Sequence, residues 1–141
     1  MELEAIEGTC YSIKWLQDTL SLSIHCSSEE KINEIISTYF QTGNQLHLFI
    51  ATYADTSVGV IGIEQLSATH AVIRHIAVDP DLQWKGIGRF MIENIERQFR
   101  LQVLSTEADD LAALFFEACG FQLERIEAFG PERYRCTKVL L

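Results

Sequence analysis

Ile76-Ala77-Val78-Asp79-Pro80-Asp81-Leu82-Gln83-Trp84-Lys85-Gly86-Ile87-Gly88-Arg89 is the stretch on which the reading of this 141-residue chain turns. It begins as an apolar strand, and Asp79-Pro80 stops that strand, because proline has no amide hydrogen for a ladder. A short loop leads into Gly86-Ile87-Gly88. From there Ile87, Met91, Ile95 and Phe99 recur at every fourth position, the spacing of one helix face. A helix start carries about half a positive charge and several unpaired N–H groups, so it binds phosphate well. Glycines let the backbone approach the anion, and Lys85 and Arg89 add local positive charge. Two familiar phosphate loops are excluded. The dinucleotide fingerprint wants Gly or Ala where Met91 stands, and the Walker loop wants a Gly-Lys-Ser/Thr that is absent.

Upstream lie three strands with short connections. Leu46 to Tyr53, Val58 to Leu66 and Ala71 to Val78 are rich in β-formers, and Ala54-Asp55-Thr56-Ser57 and Ser67-Ala68-Thr69 are turns. Connections this short join antiparallel neighbours, so the three form a meander. Each is apolar on both faces, which calls for helices on both sides of the sheet. Downstream, Leu101 to Ser105 reads as a short strand. Asp109 or Asp110 caps a helix whose expected core stripe is Leu111, Leu114, Phe115 and Ala118, and Gly120 ends it. Phe121 to Phe129 and Glu132 to Leu140 read as two strands around Gly130-Pro131.

The first 25 residues are the hardest to place. Ile13, Leu16 and Leu20 fit a helical stripe that Trp15 and Leu22 widen. Ser27 with Glu30 has the spacing of a capping box, opening a helix on Ile32, Ile35, Ile36 and Tyr39 that Gly43-Asn44 ends.

The chain has 11 basic and 20 acidic residues, a net charge of −9. That argues against sequence-independent nucleic-acid binding, which depends on neutralising phosphates. The surplus acid would sooner attract a cationic small molecule or a basic peptide, or it only keeps the protein soluble. Cys10, Cys26, Cys119 and Cys136 form no C-x-x-C pair, and His25, His47, His70 and His75 add no ligand spacing, so no common zinc site is expected and buried free thiols are. No apolar run approaches the ~18 residues of a membrane span. An acidic start without an apolar segment and basic flank argues against a secretory signal, so a cytoplasmic protein with no membrane partner is expected. The length suits one domain, residues 1–141.

Gln83-Trp84-Lys85-Gly86-Ile87-Gly88 resembles the loop of the GNAT N-acetyltransferases, (Gln or Arg)-x-x-Gly-x-(Gly or Ala), position for position. The preceding Ile76-Ala77-Val78-Asp79-Pro80 is typical of the family, and Ala112 to Phe121 (AALFFEACGF) looks like its helix ending in Gly-Phe. The resemblance covers roughly residues 46 to 140. It implies an α/β fold: a GNAT-like mixed β-sheet with helices on both faces. It also implies acetyl-CoA as co-substrate. Gln83, Trp84 and the amides from about Lys85 through Gly86, Ile87, Gly88 and Arg89 would form the pyrophosphate loop. Ile76, Ala77 and Val78 would lie along the pantetheine arm, an N–H near Val78 would face the oxyanion, and Phe116 would lie near the thioester sulfur.

This chain departs from the family at the acid. Phe116 stands where members often have the Tyr that protonates the leaving thiolate, and Asp109 stands where an Asn often opens the helix. Tyr134 is a candidate replacement acid. Glu64 and His75 are candidates to deprotonate the substrate ammonium, the alternatives being a solvated strand residue and a satisfied core histidine. Arg74 either holds an acidic group or the coenzyme, or pairs with a carboxylate. Trp84 reads as a loop anchor and Phe115 as core. The expected reaction is direct attack of a small amine or peptide on acetyl-CoA, by a protein that could be a homodimer. The alternatives are an acyl-CoA-binding module without turnover and an unrelated nucleotide-binding α/β protein.

Overall fold

The computed structural model describes residues 1–5, 13–23, 28–41, 43, 45–82, 86–126 and 132–140. The elements run β1 (Glu2–Ala5), α1 (Ile13–Ser21), α2 (Glu29–Tyr39), β2 (Leu46–Tyr53), β3 (Thr56–Gln65), β4 (His70–Val78), α3 (Ile87–Gln98), β5 (Val103–Ala108), α4 (Asp110–Ala118), β6 (Gln122–Ile126) and β7 (Arg133–Val139). They make a seven-stranded mixed sheet in the order β1-β2-β3-β4-β5-β7-β6. Every neighbour pair is antiparallel except β4 with β5.

The meander is as expected. Its first turn is tighter than the sequence suggested, with only Ala54 and Asp55 between β2 and β3. Both have positive φ, 49° and 65°, the geometry that matches a two-residue hairpin to the twist of its strands. Because β2, β3 and β4 are apolar on both faces, two layers of core form. Phe49, Ala51, Ile61, Ile63 and Ile73 face the side covered by Ile87, Met91, Ile92 and Ile95 of α3 and by Phe116 of α4. Leu48, Ile50, Val60 and Ala77 face Leu16 and Leu20 of α1 and Ile32, Ile36 and Tyr39 of α2.

Four expectations need correction. The cap of α2 is Ser28, whose side chain accepts from the Lys31 amide at 3.2 Å, and Ser27 lies outside the described residues. The strand after α3 starts at Val103 and runs to Ala108, because Leu101 is used as a buried plug before the strand begins. The stripe Leu111, Leu114, Phe115 and Ala118 is not core: Leu111 is 81% exposed, Leu114 63% and Phe115 37%. Ala113 and Phe116 are the buried positions of α4, followed by Cys119. Finally, β1 pairs with β2 in a segment that carried no readable strand signal.

Asp109 caps α4, accepting from the Ala112 amide at 2.9 Å. Gly120, at φ 97°, follows the helix as expected. Cys119 and Cys136 are free and buried, and burial pushes both thiols up. Cys10, Cys26 and the Gly130-Pro131 turn lie outside the described residues. Among the described residues no helix is long and apolar enough to cross a membrane, and no group of three His, Cys, Asp or Glu side chains is placed to hold a metal.

Candidate active site

The sheet opens between β4 and β5. These strands pair in parallel only at His70, Val72 and the residue between them, against Val103 to Ser105. Yet β4 continues to Val78 and β5 to Ala108. At the fork the Thr106 hydroxyl donates to the Ile73 carbonyl at 3.0 Å, a side chain taking the place of the next ladder bond. The register of β3 against β4 also shifts here, with Ile63 opposite Ile73 and Gly62 opposite His75. Arg74 is therefore the extra residue of a bulge, which bends β4 away from β5. From Arg74 to Val78, β4 has no ladder partner on its β5 side among the described residues. An open strand edge of this kind can take an extended amide-bearing ligand as an added strand. Ile76, Ala77 and Val78 lie along it.

The open strand leads by Asp79 and a 3₁₀ turn (Pro80–Leu82) to α3. Gln83, Trp84 and Lys85 lie outside the described residues. Gly86 has φ 78°, a conformation that costs an L-residue roughly 1–2 kcal/mol, so glycine is the fitting choice there. The N-terminus of α3 differs from those of α2 and α4. Ser28 and Asp109 cap their helices with side-chain oxygens, whereas Gly86 offers none. Among the described residues the first-turn amides of α3 thus lack a side-chain cap, an arrangement that suits an anion. A Cβ on Gly86 would meet nothing within 4 Å among the described residues.

Gly88 has a different task. A Cβ there would fall 2.7 Å from the Phe115 ring. The first turn of α3 lies directly against α4, and only glycine lets it do so. The Arg89 guanidinium reinforces the contact by donating to the Ala118 carbonyl at the end of α4. Phe116 is 3% exposed and packs edge-on against Phe115 and Phe121, both at 5.2 Å between ring centres. It brings no acidic hydrogen.

The opposite face of the fork carries a polar cluster. Glu64 of β3 accepts from Arg74, Nε to Oε1 at 2.8 Å and a second bond from Nη2. His75 Nδ1 lies 2.5 Å from the Tyr39 hydroxyl. His75 and Ala77 share one face of β4, so this cluster sits under α1 and α2. Burial first, and the Arg74 cation second, push the His75 imidazolium below its ordinary range. Burial holds the Tyr39 phenol well above its own. Both groups are neutral at pH 7.

Tyr134 is elsewhere. It pairs with Ala108 of β5 and packs, like Cys136, against the core on the α3–α4 side. Its hydroxyl donates to Glu132 Oε2 at 3.3 Å, and desolvation together with Glu132 and Asp110 pushes the phenol up. The structure thus brings Glu64, Arg74 and His75 together and leaves Tyr134 across the sheet. Tyr39 escaped the sequence reading, because on its helix it completes an ordinary apolar stripe.

An open fork in a mixed sheet, followed by a helix start without a side-chain cap, suits an extended amide-bearing ligand with an anionic end. The comparisons identify the family. Residues 44–123, more than half of the chain, match the model of the acetyltransferase (GNAT) domain. The chain belongs to the GNAT family of acetyltransferases. It is 32% identical over 90 residues to the ribosomal protein bS18-alanine N-acetyltransferase of Salmonella typhimurium, a match over 60% of this chain and 61% of that relative's length. Among solved structures it resembles an acetyltransferase from Thermus thermophilus, with TM-score 0.76 and 18% identity over 99% of this chain and 98% of that one. A GNAT acetyltransferase from Elizabethkingia anophelis, solved with acetyl-CoA bound, gives TM-score 0.70 and 19% identity over 99% and 97%.

Proposed function

We propose that this protein moves an acetyl group from acetyl-CoA to an amine, the amine attacking the thioester directly. The observation that carries the reading is the unpaired edge of β4 from Arg74 to Val78, which ends at a helix start without a side-chain cap. The pantetheine arm pairs with the backbone of Ile76, Ala77 and Val78. The pyrophosphate sits on the amides of Gly86, Ile87, Gly88 and Arg89, with Gln83, Trp84 and Lys85 completing the loop. Phe116 packs near the thioester.

The two faces of the fork suit the two halves of the reaction. The acceptor approaches from the side of Glu64 and His75, and the thiolate leaves on the side of α4. A primary amine of pKa near 10 is unprotonated about once in a thousand at pH 7, so the acceptor side needs a base. The leaving thiol, with a pKa near 8.5, needs an acid far less. Tyr134, held protonated on the thiolate side, can supply one. The acceptor is a small amine or a peptide amino terminus, as in the relative that modifies alanine of a ribosomal protein. A homodimer is compatible with this reading.

A screen of amines and peptides against acetyl-CoA, with mass spectrometry of the products, tests the reading. Acetylated product that depends on Glu64 or His75 supports it. The buried Phe116 favours one other reading, a module that binds acyl-CoA without turnover. That module would hold coenzyme A in calorimetry and release no thiol with any acceptor.

A further inference from the structure

We propose that Tyr39 completes the proton path of this site: its hydroxyl takes the proton from the attacking acceptor nitrogen while passing its own to Nδ1 of His75. The inference rests on the acetyl-transfer reading above and adds a residue to it.

Three observations on geometry carry it. The Tyr39 hydroxyl and His75 Nδ1 are 2.5 Å apart, although 36 positions separate them in the chain. Gly62 makes the approach possible, because a Cβ there would lie 2.1 Å from the Tyr39 hydroxyl oxygen. Gly62 is also the residue opposite His75, beside the bulge at which β4 leaves β5. The end of α2 therefore sets a hydroxyl onto the sheet at the fork.

Proton chemistry follows from the pairing. Of two neutral partners, a phenol is the stronger acid and an imidazole nitrogen the stronger base, so the O–H donates to Nδ1. The ring hydrogen of His75 then resides on Nε2. The one basic nitrogen of His75 is covered by Tyr39, and a proton reaches it only through the hydroxyl. As the acceptor nitrogen bonds to the thioester carbon, its N–H bond breaks and a new O–H bond forms on Tyr39. The former Tyr39 O–H bond breaks and Nδ1–H forms. The positive charge moves from the acceptor nitrogen to the imidazolium, and no phenolate is ever required.

Among the described residues the charged groups around the pair are few. From β3 comes Glu64, from β4 itself Arg74, and from α2 Tyr39. The face of α1 turned to the sheet presents Leu16, Thr19 and Leu20, none of which titrates. Arg74 disfavours the imidazolium, so the proton is released readily to solvent once product leaves.

Tyr39→Phe and Gly62→Ala test the path from its two ends, the first by deleting the hydroxyl and the second by displacing it. The probe is a short peptide with an amino-terminal alanine, with coenzyme A release followed against pH. Each variant should lower kcat about a hundredfold, leave KM for acetyl-CoA within about twofold, and move the acid limb of the profile. Histidine-selective nitrogen NMR should find Nδ1 of His75 as the unprotonated, hydrogen-bonded nitrogen in the wild type, with a resonance that moves to the free-imine position in Tyr39→Phe. An Nδ1–H tautomer, or wild-type kcat and an unmoved acid limb in Tyr39→Phe, would overturn the relay alone. A wild type that binds coenzyme A yet acetylates neither this peptide nor any amine of the screen would overturn the acetyl-transfer reading and the relay with it.

Discussion

Replacing Gly88 by Val separates two roles that the sequence alone merges, close approach to phosphate and close approach to α4. A Cβ at position 88 would lie 2.7 Å from one Phe115 ring carbon and 3.0 Å from another. Forcing extra atoms into packed space costs about 1–3 kcal/mol. Phe115 is 37% exposed, so its ring can turn outward and the cost falls toward the lower half of that range. Val and Gly differ by only a few tenths of a kcal/mol in helix propensity, which leaves the steric term dominant. For a domain of this size the loss corresponds to roughly 3 to 7 °C in Tm. The double variant Gly88→Val/Phe115→Ala removes the obstructing ring and should recover much of the lost stability. It should not recover coenzyme A affinity in calorimetry, since the valine still blocks the first-turn amides. A single variant as stable as wild type would show that the contact between α3 and α4 is not as tight as the structure has it. Full recovery of affinity in the double variant would mean that position 88 serves packing only.

Four further outcomes are expected. Glu64→Gln should shift Tm little, because the half-exposed pair with Arg74 is worth at most about 1 kcal/mol, so a hundredfold loss of kcat/KM would be a loss of chemistry. Lys138→Met strands Glu96, its nearly buried partner at 2.9 Å, and should cost about 3 kcal/mol by urea titration, much of it restored by adding Glu96→Gln. His75 has a depressed folded-state pKa, so the unfolded chain binds its proton first; stability should fall as pH drops below about 6.5, and His75→Gln should flatten that slope. Phe116→Tyr should change kcat by less than about tenfold, since leaving a thiolate unprotonated at pH 7 costs only about 2 kcal/mol.

The meander and α3 were legible because their patterns are unambiguous. β-rich runs separated by short polar turns leave few alternatives, and Ile87, Met91 and Ile95 are all buried as their spacing implies. Helix α4 was read on the wrong side for a physical reason. It is apolar almost all round, so two stripes fit, and the bulkier one was taken. Phe116 wins the interior through its contact with Phe121, which lies beyond the helix and is invisible to periodicity. The acidic tetrapeptide of β1 has no strand signature and is held by its register with β2. The glycine loop carries a phosphate-binding pattern in sequence, but the pattern does not tell that Gly88 and Arg89 also pack on α4. Tyr39 could not have been found by spacing, since only the fold brings it to His75.

The departure at Phe116 bears on which half of the reaction this fold is built to control. The side proposed for the thiolate carries three packed aromatic rings and two buried thiols, groups with little proton chemistry at neutral pH, and leaves Tyr134 as the proposed acid. The acceptor side concentrates the titratable groups: a carboxylate tied to a guanidinium and an imidazole tied to a phenol. Such a division suits a reaction whose leaving group departs tolerably as an anion and whose nucleophile arrives protonated. The bulge at Arg74 links the two sides, since the same extra residue bends β4 away from β5, where the coenzyme edge is proposed, and sets His75 on the face beneath Tyr39. A deletion that removed the bulge would shift every residue on one side of it to the opposite face. The proposed coenzyme edge and the proposed proton acceptor would then be lost together, even with the other side chains named above still present.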